Sequence, residues 1–149
     1  MKGYQEKIAP FKALDETVKV EEQVEKIIAS LQFRSAKQMR NFFIFVVQQV
    51  LTGQSHRIKQ YTIAVEALNL ATDFDPDINP YVRVIGGRVR ARLLAYYQGD
   101  GANDSITISL PKGSYQPLIK TKNINTSMIK KQMDMPVKNK DLSYYVLMS

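Results

Sequence analysis

Cysteine is absent from the 149 residues. That excludes disulfides, cysteine-ligated zinc and a cysteine nucleophile, and is compatible with the cytosol. Histidine occurs once, as His56 in a polar loop. A lone loop imidazole far more often does nothing than serves as a catalytic base. Long apolar runs are missing too. The most apolar stretch, Phe42 to Leu51, is too short to span a bilayer and contains Gln48 and Gln49. The first residues, MKGYQEKIAPFKALDE, hold no apolar run of signal-peptide length. The expectation is a soluble, intracellular protein.

Constellations of catalytic or ligand-binding type are equally scarce. Asp73, Asp75 and Asp77 begin like a calcium loop. Pro76 interrupts them, however, Ile78 stands where the loop needs glycine, and Val84 where it needs its final glutamate. The run reads as turn and capping chemistry. Gly99-Asp100-Gly101 is too short to cradle a nucleotide and lacks the following Lys-Ser/Thr of a phosphate loop. No spacing supports a nucleophile–base pair or a metal-ligand cluster. We therefore expect no metal, no cofactor, no small-molecule ligand and no enzymatic activity.

Positive charge is what the chain has in excess. Lysine and arginine number 21 against 14 acids, a formal charge of +7 with pI near 9.6. Such a balance favours nucleic acid or an anionic membrane surface as partner and says nothing about fold. One basic stretch organises the reading, Asp75 to Gln98, with four arginines. There Asn79 suits an N-cap and Pro80 the first helical position, where no N–H is needed. Val82, Ile85, Val89, Leu93 and Tyr96 then recur on one face at 100° per residue. Arg83 and Arg90 flank that stripe on one shoulder, Arg88 and Arg92 on the other. Gly87 and Ala91 lie between them on the side away from the core.

The remaining periodicities predict other elements. Residues 1–17 read as a poorly ordered start. Val18 to Leu31 reads as a helix with its acids early, where the helix dipole favours them. Ser35 is the expected cap of a second helix, Ala36 to Thr52, apolar on more than one side and so central. Gly53 should end it. A third helix is expected over Ile58 to Leu68, then an Asp/Pro-rich connection. Ile106, Ile108 and Leu110 alternate with polar residues, the period of a half-buried strand. Pro111-Lys112-Gly113 is a turn, and Ser114 to Ile119 is expected to return as a second strand with Tyr115 inward. Residues 121–149 read as a basic linker or tail, with Tyr144 to Met148 a short docking segment. The fold expected is α+β and mainly helical: a winged helix-turn-helix with additional N-terminal helices and a C-terminal hairpin wing, its domain spanning residues 18–120.

Two motifs carry a family resemblance. Val82 to Arg90 (V-R-V-x-x-x-R-V-R), continued by Arg92-Leu93 and followed by I-T-I-S-L-P-K-G-S-Y at Ile106 to Tyr115, resembles the winged-helix DNA-binding domains of two-component response regulators. The longer stretch Arg34 to Leu118 is similar to a related bacterial module at the N-termini of larger tetratricopeptide-repeat and adenylate-cyclase-like sensory proteins. It includes Y-T-I-A-V-E-A-L at Tyr61, D-F-D-P-x-x-N-P-x-V-R-V at Asp73, A-Y-Y at Ala95 and L-P-K-G-S-Y-x-P at Leu110. The resemblance implies double-stranded DNA as partner, with helix 79–98 in the major groove and hairpin 106–119 on the flanking backbone or minor groove.

The DNA-binding candidates are Arg83, Arg88, Tyr81, Gly87, Arg90, Arg92, Lys59, Gln60, Thr62, Lys112 and Ser114. Arg83 and Arg88 flank the outward face and are favoured for the groove. Arg90 and Arg92 lie nearer the core edges and are expected to brace phosphates or acids. A bland reading stands beside each: a solvated helix face, or ion pairs with Asp73, Asp75, Asp77 or Glu66. Tyr81 has equal claim to pack on the hairpin. Lys59, Gln60 and Thr62 begin a helix whose free N–H groups suit a phosphate, though they equally describe an ordinary helix start. Gly86-Gly87 in a helix interior costs roughly 1 kcal/mol per glycine relative to Ala. The pair either admits close approach of a neighbouring backbone or of DNA, or marks a local distortion. A homodimer or head-to-tail oligomer on DNA is compatible with this reading. The competing class is a protein–protein interaction module using the same surface. A weaker third reading is membrane attachment through the basic tail.

Overall fold

The computed structural model describes residues 2–122, with side chains from residue 15 onward. Four helical segments precede a two-stranded antiparallel hairpin, a mainly helical α+β arrangement. Helix α1 spans Lys2–Ala29, α2 Lys37–Leu51 and α4 Tyr81–Gln98. Between α2 and α4 lie a single 3-10 turn, Ser55–Arg57, and α3, which is α-helical only over Gln60–Thr62 before widening into a π turn at Ile63–Ala67. Strands β1 (Ile106–Ser109) and β2 (Leu118–Thr121) pair with Ile108 opposite Ile119. The tail reading, with its docking segment at Tyr144 to Met148, lies outside the described residues.

Helix α2 is the central element, as its two-sided apolar pattern requires. Phe42, Phe43, Val46 and Val47 are fully buried, and Phe43 meets Phe33 of the α1–α2 turn with ring centroids 5.7 Å apart. From α4 the stripe Val82, Ile85, Val89, Leu93 and Tyr96 is buried, every member the 3.6-residue period assigned inward. Helix α1 adds Val20, Val24 and Ile27, and the hairpin adds Ile106, Ile108 and Leu110. Burying each of these large side chains stabilises by about 1.5–3 kcal/mol before chain entropy is counted. Among the described residues no helix is long and apolar enough to cross a membrane.

Several boundaries differ from expectation, each for a local reason. The first helix begins at Lys2 rather than Val18, so the segment read as poorly ordered is continuous with α1. It ends at Ala29, where the Ser30 hydroxyl turns back onto the Ile27 carbonyl at 2.6 Å. Ser35 does not cap α2; Ala36 occupies that place without a side-chain bond. The turn is held instead by Arg40, which donates to the carbonyls of Phe33 (3.1 Å) and Arg34 (2.5 Å). The helix expected from Ile58 is broken. The Thr62 hydroxyl donates to the carbonyls of Arg57 and Lys59 and accepts the Lys59 N–H at 3.2 Å. Side-chain competition of this kind starts the helix afresh at Gln60. The return strand begins at Leu118, four positions later than expected, because Pro111 to Pro117 forms an irregular loop.

Candidate nucleic-acid interface

The approach to α4 is built from turn chemistry. Asp75 Oδ1 accepts the Asp77 N–H at 3.0 Å, and the Asp75 carbonyl accepts from Ile78 and Asn79. Asn79 Oδ1 then accepts the Tyr81 N–H at 2.9 Å, and the Pro80 carbonyl accepts from Val84 at 3.0 Å. The acidic run thus folds the loop and starts the helix. Among the described residues no group of acids or histidine is placed to hold a metal ion.

Helix α4 carries four arginines and no acid between Tyr81 and Gln98. The structure divides them. Arg90 points to the hairpin loop: its Nε donates to the Leu110 carbonyl at 2.8 Å, and a terminal nitrogen lies 3.4 Å from the carbonyls of both Pro111 and Ser114. Arg92 points the other way and donates to the Gln32 carbonyl at 2.6 Å, tying α4 to the α1–α2 turn. The acids expected to brace these two are not their partners; backbone carbonyls are. Arg83 donates to the Pro76 carbonyl at 3.0 Å and stays exposed. Arg88 is exposed and makes no hydrogen bond or ion pair with any described residue.

The glycine pair does not distort the helix, which runs unbroken through it. A Cβ on Gly86 would sit 2.9 Å from Tyr115 Cε1 and 3.3 Å from Phe42 Cζ. Gly86 is therefore the floor on which the Tyr115 ring rests, edge-on to Phe42 with centroids 5.9 Å apart. Burial raises the Tyr115 hydroxyl above its ordinary pKa, against the opposing charges of Arg83 and Arg90. At Gly87 no described residue lies within 4 Å of a Cβ. Val84 and Leu94, also on α4, are 43% and 58% exposed.

The hairpin loop presents Lys112. A turn closes from the Ser114 N–H to the Pro111 carbonyl at 3.1 Å, with Gly113 at φ +82°, a conformation that favours glycine. Lys112 is exposed and has no partner among the described residues. Ser114 is committed to the loop: its Oγ accepts the Gln116 N–H at 3.0 Å while its carbonyl faces Arg90. Tyr81 is half-buried against the core rim. The start of α3 is less open than a phosphate site requires. Thr62 spends its hydroxyl on the local backbone, as described, and Gln60 holds its Oε1 buried without a partner. Tyr61 is partly exposed and bridges to the Thr72 carbonyl at 2.9 Å. Lys59 keeps an exposed side chain. Arg88, Arg83, Lys112 and Lys59 are thus the candidates that remain outward with donors to spare.

Two polar clusters escaped the sequence reading. Arg57 donates to Gln49 Oε1 at 3.2 Å and pairs with Glu66, joining the 3-10 turn to α2 and to the π turn. The larger cluster centres on Asp104, whose side chain is 10% exposed. Its carboxylate accepts from Tyr96 (2.6 Å), Gln23 (2.8 Å) and Lys26 (3.0 Å). Gln23 also donates to the Tyr97 hydroxyl at 3.1 Å, which donates to the Ile106 carbonyl and accepts the Ile108 N–H. Desolvation pushes the Asp104 carboxyl up. The hydrogen bonds from Gln23, Tyr96 and Lys26, with the Lys26 charge, outweigh it and hold the group below the ordinary carboxylate value. Burial, with Asp104 second, raises the Tyr96 hydroxyl strongly; burial pushes Tyr97 up to about 12. A polar Gln23 among the apolar positions Val20, Val24 and Ile27 was the available clue to this cluster.

Compared with protein-family models, curated proteins and solved structures, the chain matches none of them.

Proposed function

We propose that the chain is a sequence-specific double-stranded DNA-binding protein of winged-helix type, acting as a transcriptional regulator. The observation that carries this reading is Arg88: an exposed guanidinium on a helix without acids, spending none of its donors on any described residue. Such a helix has the width of the major groove, and arginine is the residue that most often reads guanine there, by two hydrogen bonds. Arg83 lies on the opposite shoulder of the same outward face. Lys112, on a loop fixed against α4, is placed to meet the flanking phosphates. The resemblance to response-regulator DNA-binding domains points the same way, and the net charge of +7 supplies long-range attraction.

The test is a fluorescence titration on duplexes obtained by in-vitro selection, at two or more salt concentrations. Affinity should fall steeply with salt as phosphate counterions are released. Arg88→Ala is expected to weaken binding to the selected duplex about tenfold or more, the scale of a lost bidentate base contact. Lys112→Ala should lower the slope of log affinity against log salt by about 0.9, one phosphate contact, with little change in base preference. If both substitutions leave duplex binding untouched, this face is not the DNA surface. A second reading rests on Val84 and Leu94, large apolar side chains left exposed on α4. It makes the same face a protein-docking surface. A tight heteromeric complex, with no salt-sensitive duplex affinity, would favour it.

A further inference from the structure

We propose that Arg90 does not contact DNA but is a positioning residue, holding the hairpin loop so that Lys112 meets the backbone beside the groove that α4 occupies. The proposal rests on the DNA-binding reading for its consequence and on the geometry alone for its structural half. Nε and one terminal nitrogen of Arg90 converge on three loop carbonyls, Leu110, Pro111 and Ser114. These carbonyls belong to no strand ladder, since β1 ends at Ser109 and β2 begins at Leu118. A loop without a ladder has no register of its own. Its Pro111–Ser114 turn fixes the loop's shape but not its placement on the protein. Leu110 and Pro117 anchor its two ends in buried positions, and between them two contacts on α4 place it: the Tyr115 ring over Gly86, and the Arg90 fork one turn further along. The planar, rigid guanidinium suits this task, because it addresses several acceptors from a fixed fork, where an ammonium is a compact point charge with rotating donors on a flexible stem.

The assignment separates Arg90 from the charge it carries. A phosphate contact would survive Arg90→Lys, which keeps the charge; a fork on three carbonyls would not. The experiment has two arms on the full chain. The first needs no DNA: hydrogen exchange of the Ser114 amide, which closes the loop turn, and of the Gln116 amide beside it. In Arg90→Lys both are expected to exchange about tenfold faster or more, with the Val89 and Leu93 amides of α4 unchanged. Unchanged exchange at 114 and 116 overturns the positioning role. The second arm measures duplex affinity against salt for Arg90→Lys, Lys112→Ala and the pair. Arg90→Lys should lower the salt slope by about 0.9, as Lys112→Ala does, and the pair should lower it no further. Wild-type slope in Arg90→Lys, or a further drop when Arg90→Ala is added to Lys112→Ala, means that Arg90 touches phosphate itself and ends the proposal. Faster loop exchange in a protein without duplex affinity upholds the placement and places the failure in the DNA-binding reading.

Discussion

Asp104→Ala is expected to destabilise the protein by about 3 kcal/mol, measured by urea unfolding, or roughly 10 °C in melting temperature. The carboxylate takes hydrogen bonds from Tyr96, Gln23 and Lys26, and the first two belong to residues only 3% and 4% exposed. Truncation leaves the Tyr96 hydroxyl buried with no acceptor and Gln23 with only the Tyr97 oxygen. Leaving a buried donor unmade costs about 1–3 kcal/mol each. Lys26 is exposed and adds little. Asp104→Asn should cost less, since one amide oxygen can still accept, but its NH2 turns a donor toward a donor. The same site sets an acid limb. Because the folded carboxyl is held below its unfolded value, its stabilisation is fully present above the unfolded pKa of about 4 and is lost as pH falls through the folded pKa. The stability of Asp104→Asn should therefore fall less steeply below about pH 4 than that of the native chain. An unfolding free energy within about 0.5 kcal/mol of wild type for Asp104→Ala would show that the cluster contributes nothing. The consequence reaches α4, because this cluster joins α1 to the end of α4 and, through the Tyr97 hydroxyl, to β1.

What was legible in the sequence was what repeats along it. The five-residue stripe of α4 and the alternation at Ile106, Ile108 and Leu110 state which face is buried, because helix and strand periods are local. The start of α4 was legible to within one residue for the same reason: Asn79 Oδ1 accepts the Tyr81 N–H two positions on, but the cap falls on Pro80 and the helix begins at Tyr81, each one position later than read. The Asp104 cluster was not, because Gln23 and Asp104 are 81 residues apart and meet only after three elements have packed. The sequence places Arg90 and Arg92 near the core edges as braces for phosphates or acids, since charge is visible in sequence and a backbone carbonyl acceptor is not. The break at Thr62 was hidden by an apolar pattern that fits a continuous helix, while the deciding hydroxyl bonds depend on the path of the chain through Arg57 and Lys59. Tyr115 was read inward correctly but for another reason: it is half-buried on Gly86 from an irregular loop, not from a strand face.

Gly86→Val and Gly87→Ala should move stability in opposite directions, though the residues are adjacent in one helix. At Gly86 an added side chain meets the Tyr115 ring at 2.9 Å and Phe42 at 3.3 Å. Two methyls beyond the Cβ would lift Tyr115 off α4 and open its edge contact with Phe42, which is fully buried and has no room to yield. Overpacking of this kind costs about 1–3 kcal/mol, and we expect the upper end because the loop carrying Lys112 must move with Tyr115. At Gly87 no described residue lies within 4 Å of the new methyl, so Gly87→Ala should recover the helix-propensity cost of glycine and stabilise by about 1 kcal/mol. Gly87 thus weakens its helix without a contact to any described residue in return. On the DNA-binding reading, Gly87 lets the helix backbone approach the groove between Arg83 and Arg88. Gly87→Ala should then bind the selected duplex several-fold more weakly while melting higher, a combination that loss of folding cannot produce. Higher stability with unchanged duplex affinity would show that no close approach occurs at Gly87, and would leave Arg88 to carry the groove contact without it.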